Sequence, residues 1–153
     1  RSAFKHRRCV VPVSGFFEWQ ATPGRRVKQP LYFTPATGDD PWLLAGLWES
    51  WRSPDGGPVE TFTIITTNAN ALMAPIHDRM PVILEPDAAR EWIAPASPAS
   101  WLPDRLKELL VPCSPGRMHF QPVSRVVSSP KNDTPECIQS LENKDFGNIF
   151  EQN

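Results

Sequence analysis

The chain has 153 residues, 18 of them proline, and a formal net charge of −1. A chain of this length forms one domain, with or without a tail, and removes about 70% of its unfolded surface from water. Hydrophobic residues at 40% and charged residues at 22% exclude wholesale disorder. Proline at more than twice its usual ~5% argues against a helical bundle, because it lacks an N–H and breaks helix interiors.

In chain order, Cys9 to Val13 is a β-branched run, followed by Ser14-Gly15 and then Phe16-Phe17-Glu18-Trp19-Gln20. This pattern predicts two strand pieces broken at a glycine kink or bulge. Residues 21–29, with Pro23-Gly24 and three basic side chains, read as a turn and loop. Pro30 to Thr34 and Trp42 to Trp51 are the next expected strands, with a hairpin-type connection over Ser53 to Pro58. Glu60 to Thr67 has the clearest strand pattern in the chain. Asn70 to Ile76 reads as one or two helical turns, and Met80 to Leu84 as a buried strand. Pro86 to Ile93 opens with proline and an acid, which predicts a helix. A second helix is expected over Asp104 to Leu110, with Leu106, Leu109 and Leu110 on one face. Met118 to Val123 and Arg125 to Val127 read as strands, and the polar sequence after Ser128 as a mobile tail.

The small net charge conceals an asymmetry. Residues 1–30 hold seven basic side chains, Arg1, Lys5, Arg7, Arg8, Arg25, Arg26 and Lys28, against the single acid Glu18. The remaining 123 residues carry 9 basic and 16 acidic groups. A basic sector on an acidic body is an electrostatic footprint for a polyanion. A solvated basic loop is the other reading of the same charges.

Cys9, Cys113 and Cys137 make an odd count without a C-x-x-C pair, which favours a reducing compartment over a secreted disulfide scaffold. His6 and Cys9 lack a partner pair for zinc, and neither metal nor cofactor is expected. No apolar run approaches the ~18 residues of a membrane span, and no charged-then-apolar leader opens the chain. A soluble protein without membrane contact is expected, cytoplasmic and nucleoid-associated if bacterial, nuclear if eukaryotic. Arg1-Ser2-Ala3-Phe4 begins without methionine, which suggests a processed product or a fragment.

Two segments concentrate chemistry. Strand alternation places Phe17 and Trp19 on one face and Phe16 and Glu18 on the other. A carboxylate among bulky aromatics loses water, which favours its protonated form and suits a proton shuttle near pH 7. A solvent-facing glutamate on an amphipathic strand is the alternative. Ile76-His77-Asp78-Arg79-Met80-Pro81 sets an imidazole, a carboxylate and a guanidinium at a junction of turn and strand. His77 suits proton transfer and Arg79 a phosphate. A structural histidine beside an Asp–Arg surface pair is the alternative here. No Gly-x-Ser-x-Gly, P-loop or Rossmann fingerprint is present.

Four motifs in order carry a resemblance: Arg8-Cys9-Val10-Val11-Pro12; Gly15-Phe16-Phe17-Glu18-Trp19; Thr66-Thr67-Asn68-Ala69 with Ile76 to Pro81; and Val123-Ser124 through Asn132-Asp133-Thr134-Pro135-Glu136-Cys137. Together they resemble the SRAP family, the SOS-response-associated abasic-site-processing proteins, from about residue 4 to residue 138. The resemblance implies an SRAP domain over 1–138 with a polar tail over 139–153. It implies an α+β fold, a twisted, mainly antiparallel, barrel-like sheet with peripheral helices and a positively charged DNA groove.

It further implies covalent capture of abasic sites in single-stranded DNA. An N-terminal cysteine attacks the ring-opened sugar aldehyde, and its amine and thiol close a thiazolidine. The family's catalytic glutamate and histidine match Glu18 and His77, and its phosphate-holding arginine matches Arg79. Thr66 falls where the family places a hydroxyl near the same backbone, and Arg7 and Arg8 join the basic sector as expected DNA contacts. Self-processing peptidase and lyase-like activities are implied as well. The family's N-terminal Cys-Gly-Arg start, Trp-Gly motif and Asn-x-Arg-x-Glu segment have no match here. The expectation is therefore that the nucleophile is absent, that the chain alone is inactive, and that a missing N-terminal segment or a second chain supplies it. A non-catalytic module that binds single-stranded DNA is the alternative function, and a plain hydrolase using Glu18 and His77 a third.

Overall fold

The structure is a computed structural model that describes residues 2–38, 40–54, 56–96 and 103–141. It is α+β and mainly antiparallel. The described elements are α1 (Ser2–His6), β1 (Arg8–Val13), β2 (Phe16–Gln20), β3 (Gln29–Pro35), β4 (Trp42–Arg52), β5 (Pro58–Ile64), β6 (Thr66–Asn68), β7 (Arg79–Pro81), β8 (Ile83–Leu84), α2 (Pro86–Ile93), α3 (Pro103–Glu108) and β9 (Met118–Pro122). The sheets form three ladders and do not close into a barrel. One runs β1-β4-β5 with β8 also on β4, a second runs β2-β3-β9, and the third is the pair β6-β7.

The break at Gly15 is where the chain leaves the first ladder for the second. A Cβ there would sit 2.3 Å from the Phe33 carbonyl oxygen and 2.7 Å from the Tyr32 ring. Only a residue without a side chain lets β1 turn into β2 this close to β3. Gly15→Ala is expected to cost about 1–3 kcal/mol through overpacking. Chemical denaturation checks this, and an unchanged midpoint would contradict the steric account.

Strand β4 divides two cores. Trp42 and Leu44 join Leu31, Phe33, Met73, Met80, Ile83, Cys113 and Met118 in one. Ala45, on the opposite face of the pleat, joins Val82, Leu84, Ala89, Trp92 and Leu106 in the other. Fully buried Trp92 anchors α2, its indole N–H donating to the Cys9 carbonyl at 2.9 Å. The Phe4 ring meets it edge-on at 5.6 Å. Beyond Leu47 the β4–β5 hairpin extends past both cores, leaving Trp51 and Phe62 58% and 64% exposed.

Four expectations change. Glu60 to Thr67 is not one strand, since β5 ends at Ile64 and β6 begins at Thr66; Met80 to Leu84 is likewise split at Val82. Arg125 to Val127 lies in a 3-10 turn, Arg125–Ser128, because the Ser124 hydroxyl accepts the Val126 N–H and starts a turn. The segment after Ser128 is packed through Leu141. Cys137 is buried, Gln121 donates to the Ile138 carbonyl, and Leu141 donates to the Pro122 carbonyl. Residues 142–153, most of the expected tail, lie outside the described residues. Helix α1 was not legible in Ser2 to His6. No described helix is long and apolar enough to cross a membrane.

Candidate functional site

The split of the long strand builds the site. Strand β5 pairs with β4 as far as Ile64 opposite Gly46, and β8 takes over with Ile83 opposite Leu44. Between them, three backbones close a ring of hydrogen bonds: Ile65 N–H to Ala45 O, Ala45 N–H to Val82 O, and Val82 N–H to Ile65 O, at 2.8–3.0 Å. The two segments that leave β4 at this point pair with each other as β6 and β7. Thr66 then faces Pro81 and Asn68 faces Arg79.

Arg79 lies across this small ladder. Its Nη2 donates to the Thr66 carbonyl at 2.6 Å and to Thr66 Oγ1 at 3.0 Å, its Nε reaches the same hydroxyl at 3.3 Å, and Nη1 donates to Asn68 Oδ1 at 3.3 Å. All these acceptors are neutral, so the guanidinium keeps its full charge, and one of its five hydrogens is left for a further acceptor. Arg79 is exposed. A planar cation fixed at an open surface is suited to a phosphate oxygen.

His77 ends the turn that leads into β7. Its backbone N–H donates to the Met73 carbonyl, and its Nδ1 accepts the Arg79 N–H at 3.0 Å. That bond places the hydrogen of the neutral ring on Nε2. On protonation Nδ1 turns from acceptor to donor, with Asp78 Oδ1 at 3.1 Å and the Arg79 carbonyl at 3.2 Å as its acceptors. The ring is half exposed, with 47% of its side-chain surface open.

The turn is held by a residue the sequence reading passed over as a helix start. Asn70 is the buried polar side chain of the described residues. Its Oδ1 accepts the N–H groups of Leu72 and Met73 at 3.1 and 3.0 Å, and its Nδ2 donates to the Cys113 carbonyl at 2.9 Å and to Met118 Sδ at 3.2 Å. An asparagine just after a strand and before a short turn is the local signal for such an Asx cap. Asn68, a partner of Arg79, carried no comparable signal.

Glu18 stands on another ladder. On β2 it lies opposite Leu31, which is 2% exposed, while Phe16 opposite Phe33 stacks on that ring at 5.2 Å. Directly paired residues share a face, so Glu18 is at the core-facing side with Phe16, as the alternation indicates. Phe17 packs on Tyr32 at 4.9 Å on the other side. Glu18 is half-buried, and among the described residues it makes no hydrogen bond or ion pair. Phe16 of β2 and Ile76 of the His77 turn both pack against the first core. The structure therefore groups Thr66, His77 and Arg79 in direct contact and hangs Glu18 and His77 on one hydrophobic body.

Arg7 and Arg8 sit elsewhere, on β1 and the turn before it. Arg8 Nε donates to the Trp92 carbonyl at 2.5 Å, and its Nη atoms donate to the Phe4, Lys5 and Ala94 carbonyls at 2.5–2.7 Å. It clasps the C-terminal ends of α1 and α2 and lies over the Trp92 ring. Burial lowers its pKa below the usual arginine value. Arg7 pairs with Glu49 at 2.6 Å.

None of the three cysteines is placed as an exposed nucleophile. Cys9 is half-buried in β1, where a Cβ on Gly46 would come within 2.9 Å of its sulfur. Cys113 and Cys137 are buried. Burial pushes the Cys9 and Cys113 thiols up, which suppresses the reactive thiolate.

This fold and these motifs recur in known proteins. A curated relative, the abasic site processing protein YoqW of Bacillus subtilis, is 40% identical over 140 residues, 92% of this chain and 60% of its own length. The abasic site processing protein HMCES of Gallus gallus is 38% identical over 156 residues, 90% of this chain and 45% of its own length. A solved structure of a protein from Bacteroides thetaiotaomicron superposes with a TM-score of 0.80 at 29% identity, covering 92% of this chain and 60% of that one. The chain thus spans about 60% or less of the length of these relatives. Over residues 1–130 it matches the family described as SOS response associated peptidase (SRAP). Match and structure agree, and the chain belongs to the SRAP family.

Proposed function

We propose that this chain forms the DNA-holding and proton-transferring part of an abasic-site processing protein acting on single-stranded DNA. The observation that carries the reading is the β6–β7 ladder, which fixes an exposed Arg79 on Thr66 beside a half-exposed histidine ring whose Nδ1 accepts the Arg79 N–H. The names of the relatives, abasic site processing proteins, support the substrate.

In this reading Arg79 and the Thr66 hydroxyl hold the phosphate next to the lesion, and the abasic sugar lies between them and Glu18. Glu18 takes the sugar hydroxyl proton as the ring opens to the aldehyde. His77 gives a proton to the carbinolamine oxygen as an attacking amine becomes an imine and water leaves. Addition of a thiolate to the imine carbon then closes the thiazolidine. The amine and thiol of that step belong to an N-terminal cysteine, a role that the burial of Cys9, Cys113 and Cys137 denies to them. The same side chains suit the peptidase and lyase-like steps, since each needs a proton moved near a carbonyl or imine carbon. Arg7 and Arg8 contribute by position: Arg8 fixes the α1–β1–α2 junction, and Arg7 ties its edge to β4 through Glu49.

Fluorescence anisotropy with a single-stranded oligonucleotide carrying an abasic site tests the reading. Arg79→Ala is expected to weaken binding about tenfold and to reduce the salt slope by about 0.7, as loss of one single-strand phosphate contact does. Wild-type affinity and slope in the variant would overturn the phosphate role. On a denaturing gel the 153-residue chain should leave no heat-stable adduct. An adduct would overturn the assignment of the nucleophile.

A further inference from the structure

Among the described residues, seven of the arginines and lysines are already engaged, five of them by carboxylates. Arg7, Arg90, Arg105, Lys107 and Arg117 pair with carboxylates, Arg8 caps helices, and Arg79 is engaged on β6. Four that no described acid pairs with converge on one place. Arg25, Arg26 and Lys28 of the β2–β3 loop and Arg125 of the 3-10 turn line an open cleft of about 290 Å³ with Thr22 and Gln29.

Among the described residues no acid lines this cleft, and Arg25, Arg26, Lys28 and Arg125 are all exposed. Four like charges on one small surface of a chain with net charge −1 repel one another unless an anion lies among them. The two sides are tied together by bonds that do not consume the cations. Gln29 Nε2 donates to the Pro30 and Val123 carbonyls, both at 2.9 Å, and Trp19 Nε1 donates to Ser128 Oγ at 3.1 Å. The fold thus holds the arrangement and leaves its charge unspent. The cleft opens on the loop that follows the strand of Glu18. Thr22 at its rim is four residues from Glu18, so their Cα atoms lie at most about 14 Å apart.

We propose that this cleft is a second DNA contact, a seat for backbone phosphates of the single strand a short way from the lesion. Arg25, Arg26, Lys28 and Arg125 are its phosphate ligands. The inference rests on the reading that abasic DNA lies against Glu18, and it adds a path for the strand beyond that point. Such a contact reads charge and spacing and is indifferent to base identity. Arg125 lies about 100 positions from its partners, and no local pattern links them.

The test uses the 153-residue chain and a labelled single-stranded 15-mer with a central abasic site, followed by anisotropy across a salt series. The variant R25S/R26S/K28S/R125S is expected to bind about 10–100-fold more weakly at low salt. Its log K against log salt should flatten by two to three, at about 0.7 per phosphate contact. The charge-preserving variant R25K/R26K/R125K should keep the wild-type slope. Wild-type affinity and slope in the serine variant would overturn this site alone and leave the Arg79 reading standing. An equal loss in the lysine variant would overturn the electrostatic assignment. Absence of DNA binding by the wild-type chain would overturn the proposed function and this site together.

Discussion

Asn70→Ala is expected to lower the melting temperature by about 10 °C and to weaken DNA binding with it. The substitution removes four side-chain hydrogen bonds in a site that is 8% exposed. It leaves the Leu72 and Met73 N–H groups and the Cys113 carbonyl without that partner, each costing about 1–3 kcal/mol if water does not replace it. With partial replacement by water a net loss of about 3 kcal/mol remains, and about 2–4 °C per kcal/mol for a chain of this size gives the temperature shift. The same bonds shape the turn that ends at His77, so its ring should lose its fixed place on the Arg79 N–H. Thermal denaturation followed by circular dichroism reads the first effect and anisotropy the second. A melting point within 2 °C of wild type would show that Asn70 does not hold the turn.

The second large effect is kinetic. In a version of the chain carrying a family N-terminal segment that begins with cysteine, Glu18→Gln and His77→Ala should each slow covalent capture of the abasic site by about 10²-fold or more, the usual contribution of a positioned acid or base. DNA affinity should stay within about threefold, because neither side chain is assigned to a phosphate. Glutamine keeps the shape of Glu18 and removes only its capacity to accept a proton. A half-buried carboxylate against the face that carries Leu31 and Phe16, with no described partner, is costly to keep for packing alone. Single-turnover crosslinking on denaturing gels measures the rates. Full rates in both variants would remove Glu18 and His77 from the mechanism, and a parallel loss of affinity would recast them as DNA contacts.

Much of the fold was legible because it follows from local pattern. Val10 and Val11, the Phe16–Trp19 alternation, and the proline and aspartate that open α2 each announce their element within a few residues. The Glu18 and His77–Arg79 motifs were equally visible, being short and rich in chemical groups. Net charge was less informative than its distribution, and even the basic leading sector did not act as one unit. Structure sends Arg8 into helix capping and Arg7 onto Glu49, while Arg25, Arg26 and Lys28 pair with no described acid at the other end of β2.

Sequence alone thus determined the strand-rich pattern, since periodicity is a property of neighbours along the chain, and the family motifs, whose resemblance implied the α+β class and the candidate acid–base pair. Tertiary structure decided where the longest β pattern breaks. Ile65 is as good a strand former as Ile64, and only competition for the N–H and C=O groups of Ala45 forces the switch that creates β6 and β7. Tertiary structure also decided which cations remain free, because pairing with an acid depends on distance in space. Arg125 joins the β2–β3 loop across about 100 residues for that reason, and no window along the sequence contains both.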